Sequence, residues 1–170
     1  MKYVIGENIK IKKANINDIH SIINFQKEVI DKMNNKEFFT PLTKHEFIFP
    51  IKNNGIVYLL YYNNEIIGLF VLTINPEEDI IEEYKLNDNN NVGIIDSIMI
   101  KESYRGSSLQ LQGMDIIEND AKKLQIKKLV ATIHPDNKYS LNNFIKRKYK
   151  IINKISIHNG SRYIVIKEII

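Results

Sequence analysis

A strand–turn–helix pattern in the middle of the chain constrains the fold most. The apolar run GIIDSIMI, residues 93–100, is followed by YRGSSLQLQG, residues 104–113, and then by a stretch with helical periodicity. The run is typical of a buried strand, and the periodicity predicts a helix over 109–124. The apolar face of that helix comprises Met114, Ile117, Ala121 and Leu124. We therefore expect a helix N-terminus close to the end of a central strand.

The rest of the chain predicts further strands and helices in mixed order. Alternating or β-branched residues predict strands over 9–12, 56–62, 66–74, 128–133, 151–157 and 162–169. Periodicity and capping residues predict helices over 15–33, from Thr43 to about Pro50, and from Pro135 to about Lys148. The acidic segment 76–91 is interpreted as a loop with one or two helical turns. This order indicates a mixed α/β fold.

The composition is typical of one soluble globular domain over residues 1–170. The chain has 170 residues, of which 44% are hydrophobic and 26% charged. Its apolar runs are shorter than the roughly 20 residues of a membrane helix, and its start has no apolar signal core. We therefore expect a cytoplasmic protein that does not enter a membrane. The absence of cysteine excludes disulfides, thiolate metal ligands and a cysteine nucleophile.

The positive charge of the chain is weak evidence for a partner. The formal net charge is +4, but the basic residues are spread along the sequence and no basic patch with interleaved aromatic residues stands out. Codon bias from an AT-rich genome explains the many Ile, Asn and Lys residues, so no nucleic-acid partner is expected. The acidic segment 76–91 is either a solvated loop or a surface that attracts a cationic amine. The histidines His20, His45, His134 and His158 show no metal-ligand spacing, so no metal is expected.

The turn at residues 105–110 has two interpretations. A helix N-terminus leaves about four backbone N–H groups unpaired and carries partial positive charge. The amides of Ser107, Ser108, Leu109 and Gln110 would then point at one position, and Arg105 would add charge, which suits a pyrophosphate. A serine is also the usual cap of any helix, so the segment taken alone favours a plain capped helix.

The context of the turn resembles the acetyl-CoA-binding core of the GNAT acetyltransferase superfamily. The resemblance is carried by DSIMI (96–100), YRGSSLQ (104–110), VATI (130–133) and PDN (135–137), and it is strongest over 93–149. It implies a mixed, mostly antiparallel central sheet with helices on both faces and a splayed strand pair at the cofactor site. Arg105 matches the first position of the family's turn motif, whereas Ser108 and Gln110 replace two small residues.

The resemblance also implies which residues bind acetyl-CoA. The turn residues Arg105, Gly106, Ser107, Ser108, Leu109 and Gln110 would hold the pyrophosphate. The strand residues Ile98, Met99 and Ile100 would bind the pantetheine arm through their backbone, although they also fit as plain core residues. Asn137 either contacts the cofactor or only caps the next helix. Phe144 stands where many members carry a tyrosine that protonates the leaving thiolate.

The chemistry of amine acetylation then suggests roles for individual groups. Asp96 is the carboxylate of the central strand and is our candidate general base, although a polar residue there also fits a β-bulge. An N–H of Ile100 or Met99 would stabilise the oxyanion. Because Phe144 has no hydroxyl, thiolate protonation would fall to Tyr139, Ser140, Tyr149 or water. Glu82, Glu83 and bound water are the fallback bases.

The acceptor remains open at this stage. It is a primary amine on a small polyamine-like molecule, an antibiotic or a protein, and the resemblance also allows a homodimer. Direct attack on acetyl-CoA in a ternary complex is the expected mechanism. The alternative is a non-catalytic acyl-CoA-binding or regulatory module that lost the acid at Phe144.

Overall fold

The computed structural model describes residues 8–87, 90–157 and 160–169. Its strands are β1 (Ile9–Lys13), β2 (Ile56–Tyr62), β3 (Glu65–Ile74), β4 (Val92–Ile100), β5 (Lys128–Ile133), β6 (Lys150–Ile157) and β7 (Gly160–Glu168). Its α-helices are α1 (Ile19–Asp31), α2 (Lys44–Lys52), α3 (Glu78–Glu83), α4 (Leu109–Lys123) and α5 (Lys138–Lys146). Short 3-10 turns occupy Ile16–Asp18, Lys36–Phe38 and Glu102–Tyr104.

The strands of the described residues form one sheet in the order β1-β2-β3-β4-β5-β7-β6. All neighbouring pairs within it are antiparallel except β4 and β5, which run parallel. The parallel pair is joined through α4, which is the crossover that a parallel connection needs. The mixed, mostly antiparallel α/β fold predicted from the sequence is therefore confirmed.

The parallel pair separates partway along its length. Pairing between β4 and β5 ends at Ile95 with Ala131, although β4 continues to Ile100 and β5 to Ile133. Beyond Ile95, the edge of β4 that faces β5 therefore has no strand partner among the described residues. This is the splayed strand pair expected at the cofactor site.

Helices cover both faces of the sheet. On one face, α1 and α2 bury Ile22, Phe25 and Phe47 against apolar residues of β2, β3 and β4. On the other face, α4 buries Met114 and Ile117 in the largest core cluster. Gly113 of α4 lies directly over the ring of Phe70, where a Cβ atom would come within 2.4 Å of Cζ. This close packing sets the position of α4, and therefore of the turn before it.

Several local predictions need correction. Leu124 was predicted on the buried face of α4, but the helix ends at Lys123 and Leu124 is 37% exposed. The β2–β3 connection is a two-residue Asn63-Asn64 turn, because Glu65 already belongs to β3. Both asparagines have positive φ, as two-residue hairpin turns require. The predictions for the N-terminal residues 1–7, for Asp88 and Asn89, and for His158 and Asn159 lie outside the described residues.

None of the helices in the described residues combines the length and apolar character needed to span a membrane.

Candidate active site

Two adjoining cavities lie at the opening between β4 and β5. The first, of about 380 Å³, extends from α1 along Ile98–Ile100 to the turn before α4, and we call it the cofactor cavity. The second, of about 130 Å³, contains Asp96 and is called the acceptor cavity. The two share the lining residues Phe38, Phe39, Ile98, Asn137 and Ser140. The shared lining places the strand opening between a long groove and a small pocket.

The turn before α4 leaves the N-terminus of the helix open. Ser108 has a left-handed backbone, φ 61°, and its side chain caps no backbone amide of the described chain. The helical bonding begins at Gln112, whose N–H donates to the Ser108 carbonyl at 3.0 Å. The amides of residues 109–111 therefore precede the helical ladder. Ser107 donates its hydroxyl to the carbonyl of Tyr104 at 2.5 Å. The turn thus suits an anion better than it suits a serine cap.

Arg105 and Gln110 flank this helix start and point in different directions. Arg105 is exposed, and its Nε donates to the carbonyl of Ile100 at 3.1 Å, so the guanidinium lies where β4 ends. Gln110 is buried, and its Nε2 donates to Ser140 Oγ at 3.2 Å while its Oε1 accepts from Asn143 Nδ2 at 3.0 Å. The Gln110 side chain turns toward α5. Although it is larger than the small residue of the family motif, it therefore does not cover the turn.

The backbone N–H and C=O groups of Ile98, Met99 and Ile100 point to two different sides of β4. Lys101 donates its N–H to the carbonyl of Ile67 in β3 at 2.9 Å. Backbone groups alternate sides along a strand, so Met99 also faces β3, whereas Ile98 and Ile100 face the opening. Met99 packs its side chain against the α1–α2 side of the core. The geometry therefore favours Ile98 and Ile100 over Met99 for backbone contacts with a ligand.

The first turn of α5 contributes the far wall of both cavities. Asn137 is the N-cap of α5 and accepts from the Ser140 amide at 3.2 Å. It also lines both cavities, so capping and ligand contact are compatible. Phe144 is buried and lines the acceptor cavity, not the cofactor cavity, with its ring edge-on to Tyr149.

Asp96 lies at a β-bulge of β4. The register passes from Val71 opposite Ser97 to Leu72 opposite Ile95, so Asp96 is the extra residue of the bulge. The partly buried carboxylate accepts a very short hydrogen bond from the hydroxyl of Thr73. Bulges redirect side chains, and this one directs Asp96 to the acceptor cavity. The bulge and the proposed role as a base are therefore compatible.

The surroundings of Asp96 change its acidity. Burial raises the pKa of Asp96 from 3.8 to about 7, with a smaller rise from the charge of Glu46, and the Thr73 hydrogen bond opposes the rise. Burial also raises the pKa of the neighbouring Tyr84, and the negative charge of Asp96 adds to that rise. A carboxylate with a pKa near neutrality is suited to taking up and releasing protons.

The sequence matches the family model for the acetyltransferase (GNAT) family over residues 18–148. The chain belongs to the GNAT family. The activity of this family is acetyl transfer from acetyl-CoA. No curated protein matches the chain.

Solved GNAT structures have the same fold at low sequence identity. A GNAT-family acetyltransferase from Listeria monocytogenes superposes with a TM-score of 0.77 at 15% identity, covering 99% of each chain. One from Streptococcus pneumoniae gives 0.74 at 17% identity, covering 95% of this chain and 99% of that one. A Salmonella typhimurium protein solved with its cofactor acetyl-CoA gives 0.72 at 10% identity, covering 96% of this chain and 95% of that one.

The residues present here fit the cofactor of the GNAT family. The cofactor cavity is lined by Ile98, Met99, Ile100, Arg105, Gly106, Leu109, Gln110 and Asn137, all of which the sequence resemblance assigned to acetyl-CoA. Ser107 and Ser108 lie on the turn but are not among the lining residues. An open helix N-terminus at one end and unpaired strand edge at the other provide donors for phosphate and for amide groups.

Several groups in the acceptor cavity were not predicted from the sequence. They are Thr73 of β3, Tyr84 at the end of α3 and Arg162 of β7. Thr73 donates a hydrogen bond to Asp96, and the other two residues line the same cavity as Asp96. Thr73 interrupts the apolar strand 69–74, which was a usable signal. Glu83 also lines the cavity, which supports the interpretation of the acidic segment as a surface that attracts amines. Tyr149 is buried and lines neither cavity, so the geometry does not favour it as an acid.

The described histidines do not form a metal site. Within residues 8–87, 90–157 and 160–169, no group of three or more His, Cys, Asp or Glu side chains is arranged to hold a metal ion. His134 stacks on Phe38 at a ring distance of 5.1 Å and accepts from the Asp136 amide through Nδ1. His134 therefore forms part of the wall of the acceptor cavity.

Proposed function

We propose that the protein transfers the acetyl group of acetyl-CoA to a primary amine by direct attack in a ternary complex. The observation that carries the proposal is the meeting of the two cavities at the strand opening. The cofactor cavity and a pocket with a partly buried carboxylate share one wall, so both substrates have access to the same point. Holding both in place lowers the entropic cost of the reaction.

The roles of the residues follow from their positions. Arg105 and the amides at the start of α4 bind the pyrophosphate, and Ile98 and Ile100 bind the pantetheine arm. Acetyl-CoA supplies an acetyl group activated as a thioester. Asp96 takes a proton from the ammonium group of the acceptor, because a free amine is the nucleophile and ordinary amines are protonated near neutral pH. The Ile100 amide, which faces the opening, stabilises the oxyanion.

Ser140 is the best-placed hydroxyl for protonating the leaving thiolate. It lines both cavities, whereas Tyr139 is 55% exposed and lines only the cofactor cavity. Ser140 accepts a hydrogen bond from Gln110, so its own hydrogen is available to donate. Ser140 therefore donates a hydrogen bond to the leaving thiolate in place of the hydroxyl that Phe144 lacks, and the proton that completes the thiol comes from the nitrogen that attacked the acetyl group.

A panel of primary amines with thiol detection tests the proposed function. We expect acetyl-CoA to release free thiol only when an acceptor amine is present. The second candidate function, a non-catalytic acyl-CoA-binding module, is favoured by the missing hydroxyl at Phe144. A protein of that kind would bind acetyl-CoA and release no thiol with any amine.

The pH dependence provides a separate test of the base. Because Asp96 must be ionised to accept a proton, and its pKa in the folded protein is about 7, kcat/KM should fall as the pH drops below 7 and level off above it. In Asp96→Asn, the pH profile of kcat/KM should lose the inflection near 7 and keep only the inflection set by the pKa of the acceptor amine. An inflection near 7 that persists in Asp96→Asn would assign it to another group.

A further inference from the structure

The acceptor cavity contains a buried arginine beside its carboxylates. Arg162 of β7 is 4% exposed and lines the same cavity as Asp96, Glu46 and Glu83. Burial alone lowers the pKa of Arg162, but an arginine stays protonated at neutral pH. No carboxylate of the described residues forms an ion pair with it. A buried cation without an acidic partner is costly, and this one borders the pocket where we place the acceptor.

The hydrogen bonds that Arg162 forms within the protein use only some of its N–H donors. Its Nη1 donates to the Ser161 carbonyl at 2.9 Å, and its Nη2 donates to the Glu37 carbonyl at 2.8 Å. The bond to Glu37 ties β7 to the turn between α1 and α2, and the two bonds together hold the guanidinium in place. A guanidinium has five N–H donors, so others remain for a ligand. A carboxylate is the group that matches such a planar set of donors.

We propose that the acceptor is a small zwitterion that carries a carboxylate in addition to its primary amine, as an amino acid does. Arg162 binds the carboxylate, and Asp96 with Glu46 and Glu83 surrounds the amine. This inference rests on the proposed function and names its substrate class. A polyamine satisfies the acidic groups but brings further positive charge to Arg162. A cavity of about 130 Å³ also suits a molecule of amino-acid size.

The test compares matched acceptors on the unmodified protein. A panel of L-amino acids, their carboxamides, the corresponding decarboxylated amines and spermidine is assayed by thiol release from acetyl-CoA. We expect kcat/KM to be at least about tenfold higher for a carboxylate than for its matched amide, as charge-assisted hydrogen bonds imply. The amine of an amino-acid carboxamide is less basic than that of the amino acid, so a larger fraction of it is unprotonated and reactive. This difference favours the carboxamide and therefore works against the expected result.

The outcomes separate the inference from the function on which it rests. Amides, simple amines or spermidine that react as well as the carboxylates, or better, would overturn the zwitterion and leave the acetyltransferase standing. Absence of thiol release with every amine, in a protein that binds acetyl-CoA, would overturn the proposed function and the inference together. A short peptide is added to the panel, and one that outperforms its matched free amino acid would also overturn the inference.

Variants of Arg162 test its role directly. Arg162→Gln should raise KM for the carboxylate substrate about 10- to 100-fold and leave KM for the matched carboxamide nearly unchanged. A purely structural role in holding the Glu37 carbonyl would raise both values together and would overturn the assignment. Arg162→Lys keeps the charge and should recover part of the affinity. Lys150→Gln, which removes an exposed positive charge from β6, is the matched control. Melting temperature and KM for acetyl-CoA show whether each variant keeps its fold.

Discussion

The cofactor cavity and the acceptor cavity are built in different ways. One side of the cofactor cavity comes from one continuous segment, residues 98–110, and the donors that we propose for acetyl-CoA there are mainly backbone amides. The acceptor cavity draws its polar groups from α2, α3, β4, β5, α5 and β7, with Thr73 of β3 bonded to Asp96, and they act through side chains. The first site depends on the path of the chain, and the second on packing between distant elements.

The largest expected effect is in the acceptor cavity. Asp96→Asn should lower turnover by roughly 100-fold or more, the size of a lost general base, while affinity for acetyl-CoA stays nearly constant. Steady-state kinetics and calorimetry measure the two quantities. Asp31→Asn, an exposed change on α1, is the matched control.

An active Asp96→Asn protein would break the comparison. Full turnover with a normal melting curve would remove Asp96 from the mechanism. The base would then be sought in Glu83, which lines the cavity, or in bound water, because Glu82 is not among the lining residues.

The second effect is in the cofactor cavity. Arg105→Ala should weaken acetyl-CoA binding by about 1 to 2 kcal/mol, because a charge-assisted contact to phosphate is lost. Calorimetry measures the affinity, and Arg105→Lys, which keeps the charge, should lose less. Undiminished affinity in the alanine variant would show that the pyrophosphate lies elsewhere.

A smaller effect is expected where the two cavities meet. Ser140→Ala should lower kcat about three- to tenfold, as removal of one hydrogen bond to the leaving thiolate implies. KM for acetyl-CoA should change little, which a purely structural role in holding Gln110 would not predict. Ser156→Ala, an exposed hydroxyl on β6, serves as the control. An unchanged kcat would return thiolate protonation to water or Tyr139.

The smallest effect concerns the backbone of the cofactor turn. Ser108 has φ 61°, a conformation that costs a residue with a Cβ atom about 1 to 2 kcal/mol. Ser108→Gly removes this cost but adds freedom to the unfolded chain, so the net gain in unfolding free energy should be under about 1 kcal/mol. Thermal melting measures it. A clear loss of stability would show that the Ser108 side chain has a role not seen in its hydrogen bonds.

The sequence was a good guide to the elements and to the position of the turn before α4. Strands 56–62 and 128–133 were predicted at their observed bounds, because short β-branched runs between turn residues have few competing interpretations. The helical periodicity predicted Leu124 to be in the core. Periodicity does not show where a helix ends, and α4 ends at Lys123, one residue before Leu124. The predictions of a single domain over 1–170, of a cytoplasmic location and of a homodimer stay predictions.

By itself, the sequence determined those features that depend on neighbours along the chain. The turn before α4, the polar Asp96 within an apolar strand and the family resemblance all follow from local order, because they depend on residues that are neighbours along the chain. Only the tertiary structure brought Thr73, Tyr84 and Arg162 to Asp96, because strands that are distant in sequence meet through sheet pairing and helix packing. The acidity of Asp96 was decided in the same way, since burial is a property of the folded surroundings and not of the residue.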